Sequence, residues 1–231
     1  MHRLTHFTLC PFSRSIRLAL AECGLSFDLA EERPWAWPQS LLALNPAGEL
    51  PVLQLAGGVV VCGAYAISEF LGEGQSAQAT VSPRSGLFPA GREARAEVRR
   101  LIDWFHRKFD REVTRELLFE RVYPCLSGGP IQPPDTEVLR AIGANLRYHV
   151  SYIDHLAAER HWLAGDELTF ADLAAAAHLS TADYLGEVPW EDYAAAKAWY
   201  ARMKSRPSFR PLLGDRIRAL RPPPHYADLD F

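Results

Sequence analysis

The spacing of apolar positions changes period several times along the chain, and each change marks a different element. Residues 4–9 (LTHFTL) read as a short strand. In residues 11–24, Ile16, Leu20 and Cys23 recur at spacings of four and three, and Gly24 is placed to end the helix they predict. Residues 27–31 alternate and suit a second strand, and residues 35–44 read as helical or irregular up to Asn45-Pro46. Two apolar runs at 51–55 and 59–62, around Gly57-Gly58, predict a hairpin, and residues 64–71 a further short helix. The order is β-α-β-α-β-β-α, a unit small enough to need a partner for its core.

Residues 74–90 are rich in Ser, Gly, Pro, Gln and Ala and read as a linker, after which the strand signal disappears. Residues 92–123 predict one long charged helix with Val98, Ile102, Phe105 and Phe109 on its apolar stripe. Residues 136–159 predict a second, with Leu139, Ile142, Leu146, Val150 and Ile153 in register. An Ala-rich helix at 169–185 is expected at the centre, with further helices at 192–203 and 207–220. The expected division is an α/β domain at 1–75, a linker at 76–89, an all-helical domain at 90–220 and a Pro-rich tail at 221–231.

Composition narrows the function classes. Hydrophobic residues make up 48% and charged residues 23% of 231, an ordinary globular balance. A net charge of −3 argues against a nucleic-acid binder, and no apolar run reaches the roughly 18 residues of a membrane span. Cys10, Cys23, Cys62 and Cys125 are too scattered for a disulfide framework. With no signal-peptide pattern, a cytoplasmic location is expected. His149, His155 and His161 lie six apart, do not share a helix face and predict no metal site.

Three local motifs resemble the glutathione transferase family. Residues 45–53 (NPAGELPVL) are similar to its N-P-x-G-x-V-P-x-L segment, Cys10-Pro11-Phe12-Ser13 falls where that family carries its catalytic residue, and Thr169-Phe170-Ala171-Asp172 resembles its S/T-x-x-D capping box. The resemblance implies a thioredoxin-like N-terminal domain followed by an all-helical domain. It also implies a glutathione site at Leu50 and Pro51, with a cis bond before the proline, and a thiol or hydroxyl chemistry at Cys10 or Ser13. A thiol at a helix N-terminus is expected to be acidified.

One departure weighs against that chemistry. The family's E-S-x-A-I, which holds the γ-glutamyl group, reads Gly63-Ala64-Tyr65-Ala66-Ile67 here. Each lost hydrogen bond to a charged group costs about 1.5–3 kcal/mol, so two weaken glutathione by about two orders of magnitude. Glutathione is therefore expected to bind weakly or not at all, with no other cofactor.

The C-terminal half resembles more narrowly the FtsZ-localised, transferase-like division regulators of alphaproteobacteria, through residues 186–190 (GEVPW), 207–213 (PSFRPLL) and 225–231 (HYADLDF). That resemblance implies a non-catalytic homodimer at the division site, bound to FtsZ filaments and signalling to cell-wall synthesis through its tail. The tail residues carried over are His225, Tyr226, Asp228, Leu229, Asp230 and Phe231. For the filament contact, Arg99, Lys108, Arg111 and Arg115 are expected to form a basic patch beside Trp104 and Phe105, facing an acidic filament. Trp35 and Trp37 are candidate aromatic anchors or domain-interface residues. The tail is expected to dock by its apolar side chains, present Asp228 and Asp230, and lie beyond a core that ends before Pro222. The alternatives are a glutathione-dependent transferase or thiol transferase using Cys10 or Ser13, and a stress-linked structural homologue.

Overall fold

The computed structural model describes residues 1–77, 86–128, 133–218 and 220–229. A four-stranded sheet of order β2-β1-β3-β4 is built from β1 (His2–His6), β2 (Phe27–Glu31), β3 (Val52–Gln54) and β4 (Val60–Cys62). β1 pairs in parallel with β2 and antiparallel with β3, and β3 pairs antiparallel with β4. The first strand is His2–His6 rather than the expected 4–9, because residues 7–10 turn away, with Cys10 N–H donating to Phe7 O at 3.0 Å. That turn sets Cys10 directly before α1 (Pro11–Glu22), where Pro11 occupies the first helical turn. Gly24 ends the connection with φ +70°, a left-handed conformation that suits glycine.

After a 3-10 turn at Pro34–Ala36 come α2 (Gln39–Leu44) and α3 (Ala64–Ala77). α3 runs past the expected end at Leu71. At Gly72 a side chain would strike the Phe88 ring at 2.6 Å, so the glycine lets the returning chain pack on the helix. The expected linker at 76–89 falls largely outside the described residues, but Leu87 and Phe88 are already buried in the core.

The helical layer comprises α4 (Arg92–Asp103), a π-helix (Trp104–Thr114), α5 (Arg115–Arg121), α6 (Tyr123–Leu126), α7 (Thr136–Glu159), α8 (Phe170–Tyr184), α9 (Ala194–Lys204) and α10 (Arg210–Leu213). The single long helix expected at 92–123 is thus three segments with a wider winding at the centre. α7 starts at an Asp135 cap that accepts from the Glu137 and Val138 N–H groups. α8 starts at the expected Thr169/Asp172 capping box and is buried along its whole length, its alanines letting α1 lie close against it. The helix expected at 207–220 is only Arg210–Leu213. Beyond Gly214, Asp215 is held by Arg14 and Arg17 instead of continuing the helix.

The core does not end before Pro222. Tyr226 is completely buried, and the tail's 3-10 turn at Pro224–Tyr226 packs against the body. No described helix is long and apolar enough to cross a membrane.

Candidate functional site

A cleft of about 930 Å³ opens between the two layers, at the C-terminal end of β1 and the N-terminus of α1. Cys10 and Phe12 reach it from α1, Trp35 and Trp37 from the segment after β2, Leu50 from the loop before β3, and Gly63, Ala64 and Tyr65 from the start of α3. The α4–α5 rod supplies Arg99, His106, Arg107, Asp110, Arg115 and Phe119 on the opposite wall, and α6 adds Tyr123.

The loop over residues 45–50 is shaped by Asn45, whose side-chain N–H donates to Glu49 O at 2.9 Å and whose Oδ1 accepts from Ala47 N–H at 3.2 Å. Its last residue precedes Pro51 by a cis bond. Gly48 has φ +69° and passes under the Trp37 ring, where a side chain would come within 2.7 Å. Trp37 remains 60% exposed at the rim, whereas Trp35 is packed edge-on to Phe7 and tilted over Tyr123 with centroids 5.0 and 4.6 Å apart. The two tryptophans therefore have different roles, one as packed floor and one as exposed edge.

Cys10 lines the cleft, but the expected acidification does not occur. Burial pushes its thiol up, the Asp110 charge adds to the rise, and the Ser13 hydroxyl and backbone N–H groups offset only part of it. Ser13 itself is fully buried and off the cleft wall. At the position of the family's Glu and Ser, Gly63 (φ +84°) and Ala64 face the cleft with no side-chain donor or acceptor.

The expected basic patch is split and charge-compensated. Arg99 binds Glu69 through two bonds of 2.9 and 2.8 Å, and Lys108 and Arg111 share Glu112, at 2.6 and 3.0 Å. Arg115 pairs with Glu116 at 3.3 Å. Arg99 and Arg115 look into the cleft, while Lys108 lies over the rings of Trp104 and Tyr148. Phe105 is fully buried and offers no surface. Arg115 remains exposed at the cleft, and Arg111 is exposed off the cleft, beside Glu112.

The tail docks through residues whose partners sequence spacing did not reveal. Arg14 is completely buried and donates to Thr8 O at 2.8 Å, Ser180 Oγ at 2.8 Å, Asp215 at 3.1 Å and Tyr226 Oη at 3.0 Å. Tyr226 Oη in turn donates to Leu212 O at 2.9 Å, and its ring meets Tyr184 at 5.2 Å. His225 Nε2 lies 3.1 Å from Asp183 Oδ1, which also accepts from Trp190 Nε1 at 2.8 Å. Lys204 Nζ donates to the carbonyls of His225, at 3.0 Å, and of Asp228. The Asp228 side chain is exposed and Leu229 half-buried, while Asp230 and Phe231 lie outside the described residues. The sequence signals for this cluster were the apolar tail residues, Tyr226 among them, and His225; Arg14, Asp183 and Lys204 carried none. No group of three or more metal-ligating side chains occurs among the described residues.

The sheet order, the helical layer on one side and the cleft at their junction define a transferase-type scaffold. The N-terminal domain model of glutathione S-transferases matches residues 9–73 and the C-terminal domain model residues 117–207. The chain belongs to the glutathione S-transferase family. It is 46% identical, over 99% of its length and 97% of the relative's, to FtsZ-localized protein A of Caulobacter vibrioides. Among solved structures it resembles a glutathione S-transferase from Rhodospirillum rubrum F11 at 50% identity and TM-score 0.92, covering all of both chains. It also resembles FzlA from C. crescentus at 45% identity and TM-score 0.92, covering 100% of this chain and 99% of that one. Glutathione S-transferase 2 of Saccharomyces cerevisiae is 26% identical over 90% of this chain and 88% of the relative.

Proposed function

We propose that this protein is a non-catalytic, homodimeric division regulator that binds FtsZ filaments in the cytoplasm at the division site. One observation carries the reading: identity of 46% to a relative named for FtsZ localisation extends over 99% of the chain. The filament contact is assigned to the exposed Arg111 on the helical rod, off the cleft, and to the rim, where Arg115 stands exposed and Trp37 presents its ring, with Trp35 packed on Tyr123. An acidic filament competes with Glu112 and Glu116 for these guanidinium groups, which is feasible because exposed ion pairs are worth little.

The tail carries a second contact, with a factor of cell-wall synthesis or division, through His225, Asp228, Leu229, Asp230 and Phe231; Tyr226, completely buried, anchors the tail to the body instead of meeting the partner. Support comes from its docking by Tyr226 and by backbone carbonyls, which leaves the Asp228 side chain at the surface. In cells, Asp228→Lys is expected to keep filament binding and slow constriction. Normal constriction in this variant rules out the tail contact.

A second reading, a glutathione-dependent transferase using Cys10 or Ser13, is favoured by one feature, the presence of Cys10 on an open cleft. The raised thiol, the burial of Ser13 and the bare Gly63-Ala64 weigh against it. Calorimetry with glutathione separates the two.

A further inference from the structure

Asp110 stands on the cleft wall at the end of a directed hydrogen-bond chain. Thr114 Oγ1 donates to Asp110 Oδ1 at 3.0 Å, so the same hydroxyl accepts from His178 Nδ1 at 2.8 Å. With Asp110 ionised, that assigns the His178 proton to Nδ1 and leaves its Nε2 facing His106 Nδ1 at 3.0 Å. His178 is fully buried and His106 half-buried on the cleft wall, and both are neutral: desolvation pushes His106 down to about 3 and His178 well below its ordinary value. The Thr114 and His178 donors point toward the carboxylate, which stabilises its ionised form and fixes its orientation. Asp110 Oδ2 has no hydrogen-bond partner among the described residues. His106, Asp110 and Thr114 all belong to the π-helix, a winding that recurs at functional sites.

The charges in the cleft are unequal in their partners. Arg99, Arg107 and Arg115 are each paired, with Glu69, Asp103 and Glu116. Among the described residues, Asp110 and Glu49 are the lining carboxylates with no cation within ion-pair distance. The walls near Asp110 are aromatic: Tyr123 and Cys10 are close enough to feel its charge, and Phe119 and Trp35 pack on Tyr123 with centroids 5.2 and 4.6 Å apart. A carboxylate held among aromatic faces in a cavity of this size recognises a cation, because both the charge and the ring quadrupoles attract it.

We propose that the cleft binds a small organic cation, a primary ammonium on an apolar stem, with Asp110 as its counter-ion. The inference does not rest on the division reading, since it concerns the interior of the cleft and a small molecule. Facing Asp110 are the Cys10 thiol, the Tyr123 phenol, Arg115, Glu116 and the two neutral histidines. Burial raises Asp110 to about 6, against the pull of Thr114 and Arg115, so the counter-ion is lost on acidification through that value.

The test is a titration of the full-length protein with three near-isosteric probes: 2-phenylethylamine, 2-phenylethanol and phenylacetate. Trp35 and Trp37 on the cleft serve as fluorescent reporters. At pH 7.5 the amine is expected to bind about tenfold more tightly than the alcohol, a difference of about 1.4 kcal/mol, and phenylacetate more weakly still. The amine's advantage is expected to vanish at pH 5 and in Asp110→Asn, whose side-chain oxygen can keep the Thr114 bond. If that variant fails to fold, the wild-type pH series and the probe comparison still decide. No saturable amine binding in the millimolar range overturns the proposal, as does equal affinity for amine and alcohol or an undiminished amine affinity in folded Asp110→Asn.

Discussion

Tyr226 and Arg14, 212 residues apart in sequence, share a buried hydrogen bond of 3.0 Å. Arg14 also holds Thr8 O in the turn that carries Cys10 to the cleft, so the tail and the cleft loop are tied to one guanidinium. Removing the phenol oxygen leaves that buried charge short of an acceptor. Tyr226→Phe is expected to cost about 1.5–3 kcal/mol, and Tyr226→Ala about 3–5 kcal/mol through the added cavity. Denaturant melts measure both. Asp228→Lys, changed at an exposed side chain, is expected to move the midpoint far less than either. Equal stability of Tyr226→Ala and wild type contradicts the docked tail.

Acid should destabilise the fold well before carboxylates titrate. Burial lowers His6, His106 and His149 from 6.5 to about 4, 3 and 4, and lowers His178 well below 6.5. A folded-state pKa below the unfolded one means that unfolding takes up protons, so their stabilisation is full above pH 6.5 and is lost as pH falls toward 4. Each such histidine adds a slope of up to about 1.4 kcal/mol per pH unit. Asp110, raised to about 6, acts with the opposite sign and offsets part of this. Unfolding free energy is expected to drop between pH 6.5 and 4.5; a flat profile there contradicts the buried neutral histidines.

Much of the architecture was legible because it rests on local signals. Gly24, the Thr169/Asp172 box and the apolar stripe of α7 each encode their element within a few residues. The π-helix was not legible, since residues 104–114 keep a helical polarity pattern and the partners they pack against, α7 and α8, are distant in sequence. The 207–220 helix failed for a related reason: Asp215 is drawn to two arginines of α1. In the site, the resemblance to the transferase family pointed to Cys10 and the residues 45–51 loop. The Asp110–Thr114–His178–His106 chain joins the π-helix to α8 and has no sequence-local trace.

Cys10 should react slowly at neutral pH. With its thiol pushed above the ordinary value, alkylation by iodoacetamide is expected to rise with pH through 9 without a neutral plateau. A plateau at pH 7 would show an activated thiolate. Cys10→Ala is expected to leave filament binding unchanged, since only the shape of the helix start is used.

Glutathione is expected to bind weakly or not at all, because Gly63 and Ala64 offer no side-chain partner for its γ-glutamyl end. Isothermal titration measures this directly. A dissociation constant in the low micromolar range favours the transferase reading.

Co-sedimentation with polymerised FtsZ at low and high salt tests the division assignment most directly. The protein is expected to pellet with filaments, and reversal at Arg115 to reduce pelleting, with the larger loss at low ionic strength, where the Debye length exceeds about 10 Å. Absence of pelleting at low salt, with the protein folded and the filaments intact, contradicts filament binding. Pelleting unaffected by Arg115→Glu removes the cleft rim from the contact.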